Sequence, residues 1–106
     1  MKTYDCTDRY DWIIGICNSD TDGVKLYRFR GSILEAKEKL LSLIAEDKAN
    51  DENNWAGGCE TVDDISSEDN GLGYELYGYG KYQDYDNYQS YHIEYTAKEF
   101  AHIDNL

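Results

Sequence analysis

The amino-acid sequence predicts an α+β domain: an antiparallel sheet of four to five strands with one helix packed on one face, in the order β-β-α-(β)-β-β. Three patterns support this fold class. Two segments of strand-forming residues come first, a stripe of apolar residues at helical spacing follows, and two segments of alternating apolar and polar residues come after it. A chain of 106 residues has the size of one domain, so residues 1–106 are expected to fold as a single unit.

The first two strands are predicted to form a hairpin. Residues 12–17 (WIIGIC) and 24–30 (VKLYRFR) are rich in β-branched and aromatic side chains, and residues 18–23 (NSDTDG) between them favour turns. This pattern is typical of a β-hairpin with a loop of about six residues. At least one face of the second strand should be covered, because apolar side chains alternate onto both faces: Val24 and Leu26 on one, Tyr27 and Phe29 on the other.

A helix is predicted to begin directly after the hairpin. Ser32 and Glu35 have the S-x-x-E spacing of a capping box, in which each side chain accepts a hydrogen bond from the other residue's backbone amide. The helix should run to about Lys48, because apolar residues recur at steps of three and four: Ile33, Ala36, Leu40, Leu43 and Ile44.

The second half of the chain is predicted to add a long connection and two strands. Residues 50–71 are rich in Asp, Asn, Ser and Gly, with one short strand or turn expected around residues 61–65. Residues 72–81 alternate between apolar and polar positions, and so do residues 91–96, which predicts two strands joined by residues 82–90. Residues 97–103 are expected to add a terminal strand or a short helix.

The acidic residues are concentrated in this second half. Residues 49–106 contain thirteen Asp and Glu against two Lys, a net charge of −11, whereas residues 1–48 contain nine acids and eight bases, a net charge of −1. Eight of the eleven tyrosines lie between Tyr74 and Tyr95. A surface with so much charge of one sign repels nucleic acid and favours a positively charged partner. The composition therefore points to binding a basic protein rather than to binding nucleic acid directly.

The candidate partner-binding residues combine carboxylates, which would stand in for phosphates, with tyrosine rings. Tyr82, Tyr85, Tyr88 and Tyr91 recur at every third position, and the polar residues between them favour a loop. Tyrosine supplies a large contact area and a polar tip at little entropic cost; the alternative is that half of these rings pack onto the sheet. The predicted site comprises Asp63, Asp64, Glu68, Asp69, Tyr79, Tyr82, Asp84, Tyr85, Asp86 and Tyr88.

Catalytic and metal sites are not predicted, although the sequence leaves two alternatives open. Asn18, Asp20, Asp22 and Gly23 resemble the first half of a calcium-binding EF-hand loop, but Phe29 occupies the position that requires a bidentate Glu. The first alternative is a small metal-dependent protein or enzyme that uses Cys59 and His92, yet no pair of Cys and His residues has metal-binding spacing. The second alternative is a non-catalytic accessory domain whose acidity serves solubility.

A cytoplasmic location is expected from three features. No apolar segment reaches the ~18 residues that a membrane-spanning helix needs, and the first residues lack the apolar region of a signal peptide. Three cysteines, Cys6, Cys17 and Cys59, form an odd set without a disulfide-framework spacing, which favours reduced thiols.

Three segments resemble short acidic proteins of gut-bacterial mobile elements: residues 26–31 (LYRFRG), 35–41 (EAKEKLL) and 91–97 (YHIEYTA). That resemblance brings no known activity. At the level of class, size and acidity are similar to those of phage anti-CRISPR and DNA-mimic proteins, which block a nuclease by presenting carboxylates where the nuclease expects phosphates. The similarity implies an inhibitor of a nucleic-acid-handling enzyme, with a basic protein such as a nuclease as its partner and no cofactor.

Overall fold

The computed structural model describes residues 10–19, 23–69, 73–84 and 89–99. Within these ranges the α+β prediction is confirmed, with one antiparallel sheet and one helix, and the described sheet has six strands where four to five were predicted. The elements in chain order are β1 (Tyr10–Asn18), β2 (Val24–Gly31), α1 (Ile33–Asn50), β3 (Trp55–Gly58), β4 (Ser66–Asp69), β5 (Tyr74–Asp84) and β6 (Gln89–Glu99), with short 3-10 turns at Glu52–Asn54 and Val62–Asp64.

The strands are ordered β2-β1-β6-β5-β3, and β4 pairs with β5 as well. β3 and β4 occupy the same side of β5 because they pair with different parts of it: Trp55 lies opposite Tyr82, and Ser66 lies opposite Tyr77. One edge of the sheet is therefore formed by β3 and β4 together, and the other edge is formed by β2.

The start of α1 confirms the predicted capping box. The Ser32 amide donates to Glu35 Oε1 at 3.0 Å, and the Glu35 amide donates to Ser32 Oγ at 3.1 Å. In the predicted stripe Ala36, Leu40 and Ile44 are buried, and Ile33 and Leu43 are half-buried and pack against the core. No helix in the described ranges is long and apolar enough to cross a membrane.

The core lies between α1 and one face of the sheet. Alternate residues of the strands point into it, in agreement with the period of two along a strand. Trp12 of β1 is 1% exposed, and its Nε1 donates to the Gly31 carbonyl at 3.0 Å. The remaining buried sheet residues on this face include Ile14, Ile16, Leu76, Tyr82, Ile93, Tyr95 and Ala97.

No described element covers the opposite face of the sheet, called the open face below. Ile13 of β1, Thr96 of β6, and Tyr77 and Tyr79 of β5 belong to it, because their strand neighbours are the buried core residues. The predicted alternation of the last two strands is thus confirmed.

The connection between α1 and β5 differs from the prediction. Around residues 61–65 the chain forms a 3-10 turn, which agrees with the predicted turn, but β3 and β4 on either side of it were not expected. Their sequences, WAGG and SSED, have weak strand propensity and are held by pairing with β5. Residues 97–99 continue β6 instead of starting a separate terminal element, and residues 100–103 lie outside the described part.

Candidate partner-binding surface

The two edges of the sheet carry opposite charges. β2 contains Lys25, Arg28 and Arg30 and no acid, a net charge of +3. Residues 51–69, which form β3, β4 and the turns around them, contain seven carboxylates and no Lys or Arg, a net charge of −7. We call β2 the basic edge and residues 51–69 the acidic edge. Positive and negative charges are therefore separated in space, with the basic edge on one side of the sheet and the acidic edge on the other.

Asp63 and Asp64 lie in the 3-10 turn of the acidic edge, and both are exposed. The Asp64 carboxylate accepts hydrogen bonds from the Glu60 amide at 2.9 Å, the Thr61 amide at 2.9 Å and the Thr61 hydroxyl at 3.3 Å. These bonds, the Glu60 amide first, lower the pKa of Asp64 below its ordinary value. Asp64 is therefore a charged carboxylate whose position is set by the turn.

Glu68 and Asp69 lie on β4, where Glu68 is exposed and sits opposite Glu75 in the ladder. Tyr79 lies on the open face and is 47% exposed, and Lys81 Nζ is 5.6 Å from the centre of its ring. Tyr79 is thus an accessible ring on β5, the strand that pairs directly with β4.

Tyr82 does not belong to the contact surface, contrary to the prediction. It is 4% exposed, its hydroxyl donates to the Asp47 carbonyl at 2.6 Å, and its ring meets Trp55 edge-on with a centroid distance of 4.9 Å. Position 82 shares its face with Leu76, so strand alternation directs this ring into the core. The backbone of Asp84 ends β5, and Tyr85, Asp86 and Tyr88 lie outside the described residues.

The surroundings of Cys59 are those of a packed core thiol. Its side chain is buried, its Sγ donates to the Asp64 carbonyl at 3.3 Å, and it accepts from the Tyr79 amide at 3.4 Å. Burial raises the pKa of the thiol, which keeps it protonated and makes it a poor nucleophile. In the ladder, position 92 pairs with Lys81, and the side chain of His92 lies outside the described part.

Metal-ligating side chains are not clustered in the described part of the chain. Among residues 10–19, 23–69, 73–84 and 89–99, no group of three or more His, Cys, Asp or Glu could hold a metal ion. Asp20 and Asp22 of the EF-hand-like loop lie outside these ranges.

The open face also carries a polar cluster that was not predicted from the sequence. The Tyr77 hydroxyl donates to Glu75 Oε2, and Lys98 Nζ lies 3.0 Å from Glu75 Oε1. The bond from Tyr77, followed by that from Lys98, lowers the pKa of Glu75, and the same bond raises the pKa of Tyr77 to about 12. Alternation along β5 and the pairing of β5 with β6 could have indicated this cluster, because residues 75, 77 and 98 share one face.

Replacing Tyr77 with Phe is expected to raise the pKa of Glu75, because the variant lacks the hydroxyl that donates to this carboxylate. The folded-state pKa lies below the unfolded value of about 4.3. Glu75 therefore contributes stability above that value and loses it as pH falls through the folded pKa. The variant should lose less stability on acidification than the wild type. Carboxyl NMR titration measures the change, and Tyr79→Phe is the matched control; an equal shift in both variants would contradict the assignment.

Comparisons with protein-family models, with curated proteins and with solved structures gave no match. The fold and the surface charges define a small α+β domain whose sheet has one basic edge and one acidic edge. The function of the protein is inferred from these features alone.

Proposed function

We propose that this protein is a non-catalytic binding protein that inhibits a nucleic-acid-handling enzyme by placing its acidic edge in the basic groove of that enzyme, as anti-CRISPR and DNA-mimic proteins do. The observation that supports this proposal is the acidic edge itself, with seven carboxylates and no base between residues 51 and 69. A groove that binds nucleic acid is lined with Lys and Arg for phosphates. Carboxylates on a folded edge offer such a groove a competing set of negative charges.

Several carboxylates of the acidic edge are held on ordered backbone. Asp64 accepts three hydrogen bonds within its turn, and Glu68 projects from a paired strand. Charges that are already positioned lose less conformational entropy on binding than charges on a disordered tail. Complementary charge also accelerates association, and salt screens this effect. The proposal therefore implies fast, salt-dependent binding.

The test compares two variants with the same change in net charge. Glu60→Gln with Asp63→Asn removes two exposed charges from the acidic edge, whereas Glu38→Gln with Glu46→Gln removes two exposed charges from α1. The first variant is expected to associate with the partner enzyme about three to ten times more slowly at low salt, and the second should behave like the wild type.

The partner is captured from a lysate of the organism that encodes the protein and is then challenged with duplex DNA. Under the proposal the DNA releases the protein and the protein inhibits the captured enzyme, because both ligands occupy one groove. A partner that duplex DNA does not displace would overturn the mimicry. Equal behaviour of the two variants would instead indicate that the acidity serves solubility.

A further inference from the structure

The open face carries four large exposed side chains in addition to its charges. Val24 is 58% exposed, Leu26 is 68% exposed, Tyr77 is 38% exposed and Tyr79 is 47% exposed. Val24 and Leu26 lean over Gly15 of the neighbouring strand, since a Cβ built there would lie 3.6 Å from Leu26 Cδ2 and 3.9 Å from Val24 Cγ1. Exposed apolar groups that share one face are typical of an interaction surface.

The pairing of the strands arranges this face in rows. One row runs from Val24 to Tyr79, and the next runs from Leu26 to Tyr77, each crossing β1 and β6. A third row begins at Arg28 on the basic edge and ends at Glu75 and Glu68. Each row therefore has an aliphatic or basic end on β2 and an aromatic or acidic end on β5 and β4.

These rows are self-complementary under one symmetry operation. The operation is a twofold rotation about an axis that runs parallel to the strands, above the boundary between β1 and β6. It places β2 of one copy over β5 of the other. Because the axis is parallel to the strands, each residue keeps its position along the strand direction. Aligned packing of this kind is usual for two stacked sheets. The facing pairs between two copies are then Val24 with Tyr79, Leu26 with Tyr77, and Arg28 with Glu75 beside Glu68.

We propose that the open face binds a second copy of this chain and forms a symmetric dimer by stacking two sheets. The four facing strands from β2 to β5, at about 4.8 Å spacing, and three rows, at about 6.8 Å spacing, give an overlap of roughly 400 Å² per copy. This area is smaller than that of a standard specific interface, so we expect a weak dimer. Two copies of charge −12 repel each other at long range, and physiological salt screens that repulsion within about 8 Å.

Sedimentation of the purified protein at physiological ionic strength measures the monomer–dimer equilibrium. Leu26→Asp is expected to raise the dissociation constant by about tenfold or more, because it buries a carboxylate against Tyr77 of the second copy. Leu34→Asp is the matched control: Leu34 is 44% exposed on α1, away from the open face, and its variant should dimerise like the wild type. Circular dichroism verifies that both variants are folded.

A charge exchange tests the symmetry of the dimer. Arg28→Glu and Glu68→Arg should each weaken the dimer, and the variant with both changes should regain part of it, because residue 68 lies beside Glu75, the residue that faces position 28 across the axis. A wild type that stays monomeric overturns the proposal, as does a double variant that stays as weak as the single ones. These measurements need no partner enzyme, so their outcome is independent of the proposed inhibition.

Discussion

Leu40→Ala is expected to lower the free energy of unfolding by about 2–5 kcal/mol. Leu40 is fully buried at the centre of the stripe that joins α1 to the sheet. The variant loses the transfer free energy of the deleted methyl groups and leaves a cavity between helix and sheet that the surrounding side chains only partly fill. Because small domains are stable by about 5–15 kcal/mol in total, urea unfolding should detect the change clearly.

Leu34→Ala provides the control for this experiment, because it makes the same chemical change on the same helix at a position that is 44% exposed. Its free energy of unfolding should stay within about 0.5 kcal/mol of the wild type. Similar losses in the two variants would show that α1 does not pack on the sheet through the stripe of Ala36, Leu40 and Ile44.

Gly80→Ala is expected to destabilise the acidic edge by about 1–3 kcal/mol. A Cβ at position 80 would lie 2.3 Å from Trp55 Cη2, because the indole packs directly on the paired glycines Gly58 and Gly80. The ring must move to accommodate a methyl group, and it would then lose its edge-on contact with Tyr82. Urea unfolding followed by tryptophan fluorescence reports both the loss of stability and the displacement of the ring.

The matched control is Gly15→Ala in β1. A Cβ at position 15 would meet only Leu26 and Val24, at ordinary contact distances of 3.6 and 3.9 Å. Since glycine inside a strand is less favourable than alanine by roughly 0.5–1 kcal/mol, this variant should be as stable as the wild type or more so. If Gly15→Ala lowered the free energy of unfolding as much as Gly80→Ala, the destabilisation would be a general effect of replacing a strand glycine and would not come from the contact with Trp55.

Local patterns in the sequence were sufficient to predict the first hairpin, α1 and the inward faces of the last two strands. The capping box of Ser32 and Glu35 and the spacing of Ala36, Leu40 and Ile44 depend on neighbours only three or four residues apart. Such signals do not require knowledge of the tertiary structure. They are for this reason the part of the fold that the structure confirms most directly.

Features that depend on distant partners were not predicted. β3 and β4 have weak strand propensity and form because β5 offers them hydrogen-bonding groups. Tyr82 resembled its neighbours in a Tyr-rich segment, but β5 continues through it and turns its ring toward Asp47 and Trp55. The opposition of a basic and an acidic edge also required the strand order, which no local pattern contains.

The position of β6 has a consequence for how this domain folds. Among the described strands β6 is the last in chain order, yet it lies in the middle of the sheet and pairs with β1 on one side and β5 on the other. The β1–β2 hairpin, α1 and the β5–β6 hairpin can form early from local contacts, whereas the two halves of the sheet join only when β6 pairs with β1. Long-range pairing of this kind slows folding toward the millisecond-to-second range. The pairing of β1 with β6 is therefore the contact that fixes the distance between the basic edge and the acidic edge.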